Sequence, residues 1–149
     1  MQFTHSVAVI AYLFHNDKFL LLKRATPPMI WAPPGGKLNP LEEPESGLKR
    51  EIREETGLEI SILIPANTWF GEWNGIPFLS IDYIATTSEN NVQLSHEHSD
   101  FRWVSLDDLK NGQPIRLNPL LGVTIEHFTF AYKLYNVLTK HQDGLFTSM

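Results

Sequence analysis

The chain contains no cysteine in its 149 residues. That absence removes disulfides, thiolate nucleophiles and sulfur-ligated zinc together, and it is neutral about compartment. Dense basic runs are also missing, and the formal net charge is -5. Tracking along a nucleic-acid backbone is therefore excluded as the main task. Acidity does not exclude a phosphorylated small molecule, because a bound metal ion can reverse the local sign. No apolar run approaches the length of a membrane span; residues 7–14 give way at once to His15, Asn16 and Asp17. The start, Met1-Gln2-Phe3-Thr4-His5, lacks the basic flank of a signal peptide. A cytoplasmic location without a membrane partner is the expectation. Repeats and low-complexity segments are absent as well.

What is present is ordinary globular material, 42% hydrophobic and 19% charged. The length fits a single domain over residues 1–149 with a sizeable core. Residues 6–14 and 18–23 are β-rich and are separated by His15-Asn16-Asp17, which predicts a hairpin. Consecutive Leu20, Leu21 and Leu22 place the second strand centrally in a sheet. A short extended piece around Trp31 leads to Pro33-Pro34-Gly35-Gly36, where prolines force an extended path and glycines allow close backbone approach. A helix is predicted from Pro44 to Thr56, capped by Glu43 and stopped by Gly57. Leu48 and Ile52 define its packed side.

Further strands are expected at residues 59–64, 68–73, 78–86 and 101–104. The second and third of these are joined antiparallel around Asn74-Gly75. A helical turn at residues 106–109 and an amphipathic helix at 120–139 complete the reading. That helix carries Ile125, Phe128, Ala131, Leu134, Tyr135 and Leu138 on its apolar side, a face that also makes a homodimer plausible. The element order predicts an α+β fold, a mixed β-sheet between helices in layers.

The chemistry concentrates in residues 36–58. Glu51 stands three residues before Glu54 and four before Glu55, so the three carboxylates project from neighbouring directions on one helix. Glu54 and Glu55 also oppose the dipole at the helix C-terminus. Such crowding is costly unless cations intervene. Arg50 and Arg53 supply some compensation, and hard divalent metals supply more. Oxygen donors without cysteine favour Mg²⁺ or Mn²⁺ over structural zinc. An ordinary charged solvent face is the bland alternative. The adjacent Gly35-Gly36 loop argues against it, since a backbone carbonyl there can join the carboxylates.

This segment resembles the Nudix box of the MutT-like Nudix hydrolases. Gly36, Glu42, Arg50, Glu51, Ile52, Glu54, Glu55, Gly57 and Leu58 occupy all of its specified positions at the right spacing. The resemblance implies an α/β/α sandwich with the box as loop–helix–loop. It also implies metal-dependent hydrolysis of a nucleoside diphosphate linked to another moiety. On that basis Glu54 and Glu55 are the main metal ligands, and Glu51 is a further ligand or handles the attacking water. The Gly35 carbonyl is a backbone ligand. Arg50 orients the box carboxylates with Glu42 as its ion-pair partner, and Gly57 is structural. Glu97, in a late loop before Phe101-Arg102-Trp103, matches the position of a family glutamate that binds metal or acts as general base.

Several residues are weaker candidates for substrate contact. Lys23, Arg24 and Lys37 are candidates for phosphate. His96 and His98 suit proton or phosphate contacts, the His-x-His pattern being a weak zinc signal. Trp31, Phe70, Trp73 and Phe78 are candidates for base stacking, against a core role. The chain departs from the commonest box at Asn39-Pro40-Leu41, where an acid and a glycine are frequent, and at Gly47-Leu48, where the helix is often alanine-rich. The long signature of NADH pyrophosphatases is missing, and Pro77 does not stand at a spacing that marks one substrate. ADP-ribose-like compounds, nucleotide sugars and (d)NTPs remain the substrate classes. A Nudix-fold nucleotide-binding or regulatory protein without efficient catalysis is the alternative, opposed by the complete set of Glu51, Glu54 and Glu55.

Overall fold

The structure is a computed structural model that describes residues 3–73 and 75–140. The Asn74 turn position and the Trp73 side chain fall outside the described residues. Among the described residues ten elements follow one another: β1 (Ser6–His15), β2 (Lys18–Arg24), β3 (Trp31–Ala32), β4 (Gly35–Lys37), α1 (Pro44–Thr56), β5 (Ser61–Trp73), β6 (Ile76–Thr86), β7 (His98–Val104), α2 (Leu106–Asn111) and α3 (Ile125–Thr139).

The strands form one mixed sheet with the path β3-β2-β1-β6-β5, to which β4 adds beside β1 and β7 beside β2. β1 and β6 run parallel, while the other pairs are antiparallel. Side chains alternate across a strand, so each central strand feeds two cores. Val9, Ala11, Leu13, Leu20 and Leu22 meet Leu48 and Ile52 of α1 on one face. Tyr12, Phe14, Phe19 and Leu21 meet Phe128 and Ala131 of α3 on the other. This is the layered sandwich that the sequence predicts. Each fully buried aliphatic side chain contributes about 1.5–3 kcal/mol to the packing.

The helix that carries the acidic segment starts and stops where the sequence places it. Glu43 caps α1 by accepting from the Glu45 and Ser46 backbone N–H groups at 3.0 and 2.9 Å. Gly57 ends it in a left-handed conformation and donates its N–H to the Arg53 carbonyl. A Cβ at Gly47 would meet the ends of the Leu38 and Glu42 side chains, so the loop before α1 packs directly on this glycine.

Several boundaries differ from the sequence reading, β7 among them, which starts at His98 instead of residue 101. β5 is one strand through Pro65 instead of two, because register shifts around Leu63 and Ala66 absorb the proline. α3 begins at Ile125 instead of residue 120, since the Thr124 N–H donates to His127 Nδ1 and residues 118–121 form a turn. Phe14 stacks on Tyr135 at 4.0 Å, and Asp17 accepts from Tyr135 and Lys140, which fastens α3 to the β1–β2 turn. Among the described residues no helix is long and apolar enough to cross a membrane.

Candidate active site

Glu55 is the most deeply placed of the α1 carboxylates, only 4% exposed. Its Oε1 accepts from the Gly35 N–H at 2.9 Å, and its Oε2 lies 3.3 Å from His98 Nε2. β4 is pinned to β1 through Val9–Gly36 and Ile10–Gly35 pairing, so the sheet itself positions the backbone donor. Burial pushes the Glu55 carboxyl up to about 9; the Gly35 N–H works against this, while nearby Glu51, Glu97 and Glu54 add to it. Burial likewise raises Glu51, with Arg50 pulling the other way. Burial holds the His98 imidazole below its ordinary value, opposed by Glu97 and reinforced by Arg24.

Arg50 organises the rim. Its Nε and one terminal nitrogen grip the two oxygens of Glu42 at 2.7 and 2.9 Å, a bidentate pair. Its other terminal nitrogen reaches Glu51 at 3.1 Å and Glu54 at 3.3 Å. The Arg50 hydrogen bonds and the Asn39 N–H bring Glu42 down to about 2. One guanidinium thus ties the loop before α1 to two carboxylates on the helix. Arg53 turns away and pairs with Glu59 at 2.6 Å.

These groups line a cleft of about 520 Å³ that holds Glu51, Glu54, Glu55 and Glu97 together with Arg24, Lys37, His96 and His98. Gly35, Gly36 and Thr26 complete it. Thr26 has no signal in the sequence beyond its place after Arg24. Glu55, Glu97 and His98 offer ligand atoms that all lie within 4.8 Å of one another. Oxygen donors were expected from the sequence; the structure adds a nitrogen donor to the cluster. Carboxylates held this close, the deepest of them raised by burial, are suited to a divalent cation, which would favour their charged forms.

Other sequence candidates lie elsewhere. Lys23 alternates away from Leu22 and Arg24, pairs with Trp31 and Asp100 across the ladder, and does not line the cleft. Trp31 packs with the core on the α3 face. Phe78 stacks edge-on against Trp69 at 5.0 Å. Phe70, 62% exposed, sits on β5 near His5 and outside the cleft. A larger hollow of about 730 Å³ between α2 and the start of α3 contains none of the clustered carboxylates.

A glutamate-bearing helix under a glycine loop, in a mixed sheet covered on both faces, defines a hydrolase of phosphoric anhydrides with the Nudix fold. The chain belongs to the NUDIX domain family, whose description matches residues 4–128. It is similar to a bis(5'-nucleosyl)-tetraphosphatase [asymmetrical] of Caenorhabditis elegans, 36% identical over 97 residues, covering 61% of this chain and 70% of the relative. The corresponding rat and mouse proteins are matched over 66% of their length. A nucleoside triphosphatase NudI of Klebsiella pneumoniae is 30% identical over 120 residues, covering 69% of this chain and 84% of that protein. The MutT protein of Methanosarcina mazei superposes with a TM-score of 0.70 at 26% identity, covering 94% of this chain and 99% of the other. Nudix hydrolases use divalent metal ions, and its members are pyrophosphohydrolases.

Proposed function

We propose that this chain, acting as one domain, cleaves a phosphoric anhydride bond in a nucleoside diphosphate joined to another group, with Mg²⁺ or Mn²⁺ as cofactor. One observation carries the reading: a single cleft gathers Glu51, Glu54, Glu55 and Glu97 beside Arg24, Lys37 and His96. The carboxylates suit the cation, and the basic groups suit phosphate oxygens. Relatives named for dinucleoside tetraphosphates and nucleoside triphosphates support nucleoside polyphosphates as the first substrates to try. ADP-ribose-like compounds and nucleotide sugars follow.

Glu55 and Glu97 would hold the cation, with Glu54, Glu51 and the Gly35 backbone around it. Bound there, a divalent ion neutralises charge on the phosphate oxygens and makes water more acidic. Arg24 and Lys37 orient the phosphates. Glu51 or Glu97 takes a proton as a water oxygen bonds to phosphorus; the bridging P–O bond breaks and its electron pair leaves with the departing phosphate. Arg50 keeps Glu51 and Glu54 at the rim through its grip on Glu42.

The test is turnover of purified protein with Mg²⁺ or Mn²⁺ against a dinucleoside tetraphosphate, (d)NTPs, ADP-ribose and nucleotide sugars. Products are identified by mass in water enriched in heavy oxygen. Label is expected on one phosphate fragment, and none without metal. Tight binding without turnover across all of them would instead support a nucleotide-binding or regulatory role.

A further inference from the structure

We infer that His98 gives a ring nitrogen to the cation bound by Glu55 and Glu97, making a mixed nitrogen–oxygen centre that favours first-row transition cations over Mg²⁺. The inference rests on the metal-dependent reading above and deepens it at one ligand.

β2 and β7 pair antiparallel. Leu20 pairs with Trp103 and Leu22 with Phe101, and these four side chains belong to the core on the α1 face. Regular alternation would place residue 99 opposite Arg24 and turn residue 98 to the other face. Instead Arg24 pairs with His98, with a register shift between Lys23 and Arg24. Ser99 is therefore the extra residue of a β-bulge. Bulges re-aim side chains beside sites, and this one turns His98 to the face where Arg24 and Glu55 line the cleft.

The ring it delivers is poorly held for a structural histidine. Its Nε2 stands 3.3 Å from Glu55 Oε2, longer than a good charge-assisted bond. Its Nδ1 is buried with no hydrogen-bond partner among the described residues. The same ring nonetheless lies with Glu55 and Glu97 in a donor group no wider than 4.8 Å. Metal–ligand bonds of about 2.1–2.4 Å put opposite ligands about 4.2–4.8 Å apart, so one ion can reach all three. His96, on the other side of Glu97, is exposed and outside this trio. Imidazole nitrogen strengthens binding of transition cations much more than of Mg²⁺, which prefers oxygen.

Two readouts test this without turnover. Pulsed EPR of the metal-free protein loaded with Mn²⁺ should show coupling to imidazole nitrogen, and incorporation of ¹⁵N-histidine should convert it to the ¹⁵N pattern. Calorimetric titration of His98→Gln should show Co²⁺ affinity lowered about 10-fold or more and Mg²⁺ affinity changed by less than about 3-fold. His96→Gln should leave both measurements unchanged. The labelled wild-type spectrum stands by itself should His98→Gln fail to fold. Saturable Mn²⁺ binding without histidine coupling, or coupling that disappears in His96→Gln, overturns the inference and leaves hydrolysis untouched. Absence of any saturable divalent binding overturns the metal-dependent reading beneath it too.

Discussion

Glu51 holds its carboxylate so near Gly36 that a Cβ at residue 36 would fall 2.6 Å from the carboxyl carbon. The obstruction is the far end of a flexible side chain, so an added methyl group displaces the carboxylate rather than the backbone. Gly36→Ala is expected to fold with a stability change within about 1 kcal/mol. Its kcat/KM should fall about 10- to 100-fold, because small displacements of catalytic groups are costly. Gly35→Ala is the contrast. There a Cβ runs into the Val9 backbone carbonyl, and thermal melting should show a clear loss of stability. Equal melting and activity losses for both variants would contradict this division.

Arg50 contacts Glu42, Glu51 and Glu54 at once. Lysine keeps the charge but cannot reproduce the planar fork. Arg50→Lys should retain the fold and lose about 10-fold or more in kcat, with a smaller change in KM, since positioning of carboxylates is what fails. Steady-state kinetics beside circular dichroism decides the matter.

Leu41 is fully exposed and has φ of +63°, a left-handed conformation that costs a branched or bulky residue roughly 1–2 kcal/mol. Leu41→Gly relieves it at some cost in unfolded-state entropy. Chemical denaturation should show a stabilisation of about 0.5–1 kcal/mol. Leu41→Val should go the other way.

Burial sets the pH response of the metal-free protein. The Glu55 carboxyl is raised from 4.5 to about 9. A group with a raised folded value contributes stability that is complete below its unfolded value and is lost as pH climbs through the folded one. Melting temperature in chelator should therefore decline between about pH 5 and 9. Glu51 and Asp82 are also raised by burial and push the same way, so the diagnostic is the difference from Glu55→Gln, which should be flatter over that range. Saturating divalent cation should offset the decline, because ligands bind deprotonated.

Much of this site was legible in the sequence because its information is local. The caps at Glu43 and Gly57 and the apolar pair Leu48 and Ile52 specify α1, and fixed spacing then places Glu51, Glu54 and Glu55 on it. Glu97 was legible only through resemblance, since its approach to Glu55 depends on long-range pairing of β2 with β7. The face that His98 takes is not legible in the sequence for the same reason, since a one-residue bulge decides it. Lys23 and Phe70 read as binding candidates by composition, but alternation along β2 and the edge position of β5 keep them out of the cleft. Pro65 does not split β5, because an edge strand with bulges accepts proline.

Glu55 is the deepest carboxylate of the cleft, and the proposed anhydride hydrolysis depends on it together with a divalent cation. Glu55→Gln preserves size and an acceptor for the Gly35 N–H while removing the charge. With the best substrate and saturating Mg²⁺ or Mn²⁺, the folded variant is predicted to lose about 100-fold or more in kcat. Undiminished turnover by that folded variant would remove Glu55 from the reaction.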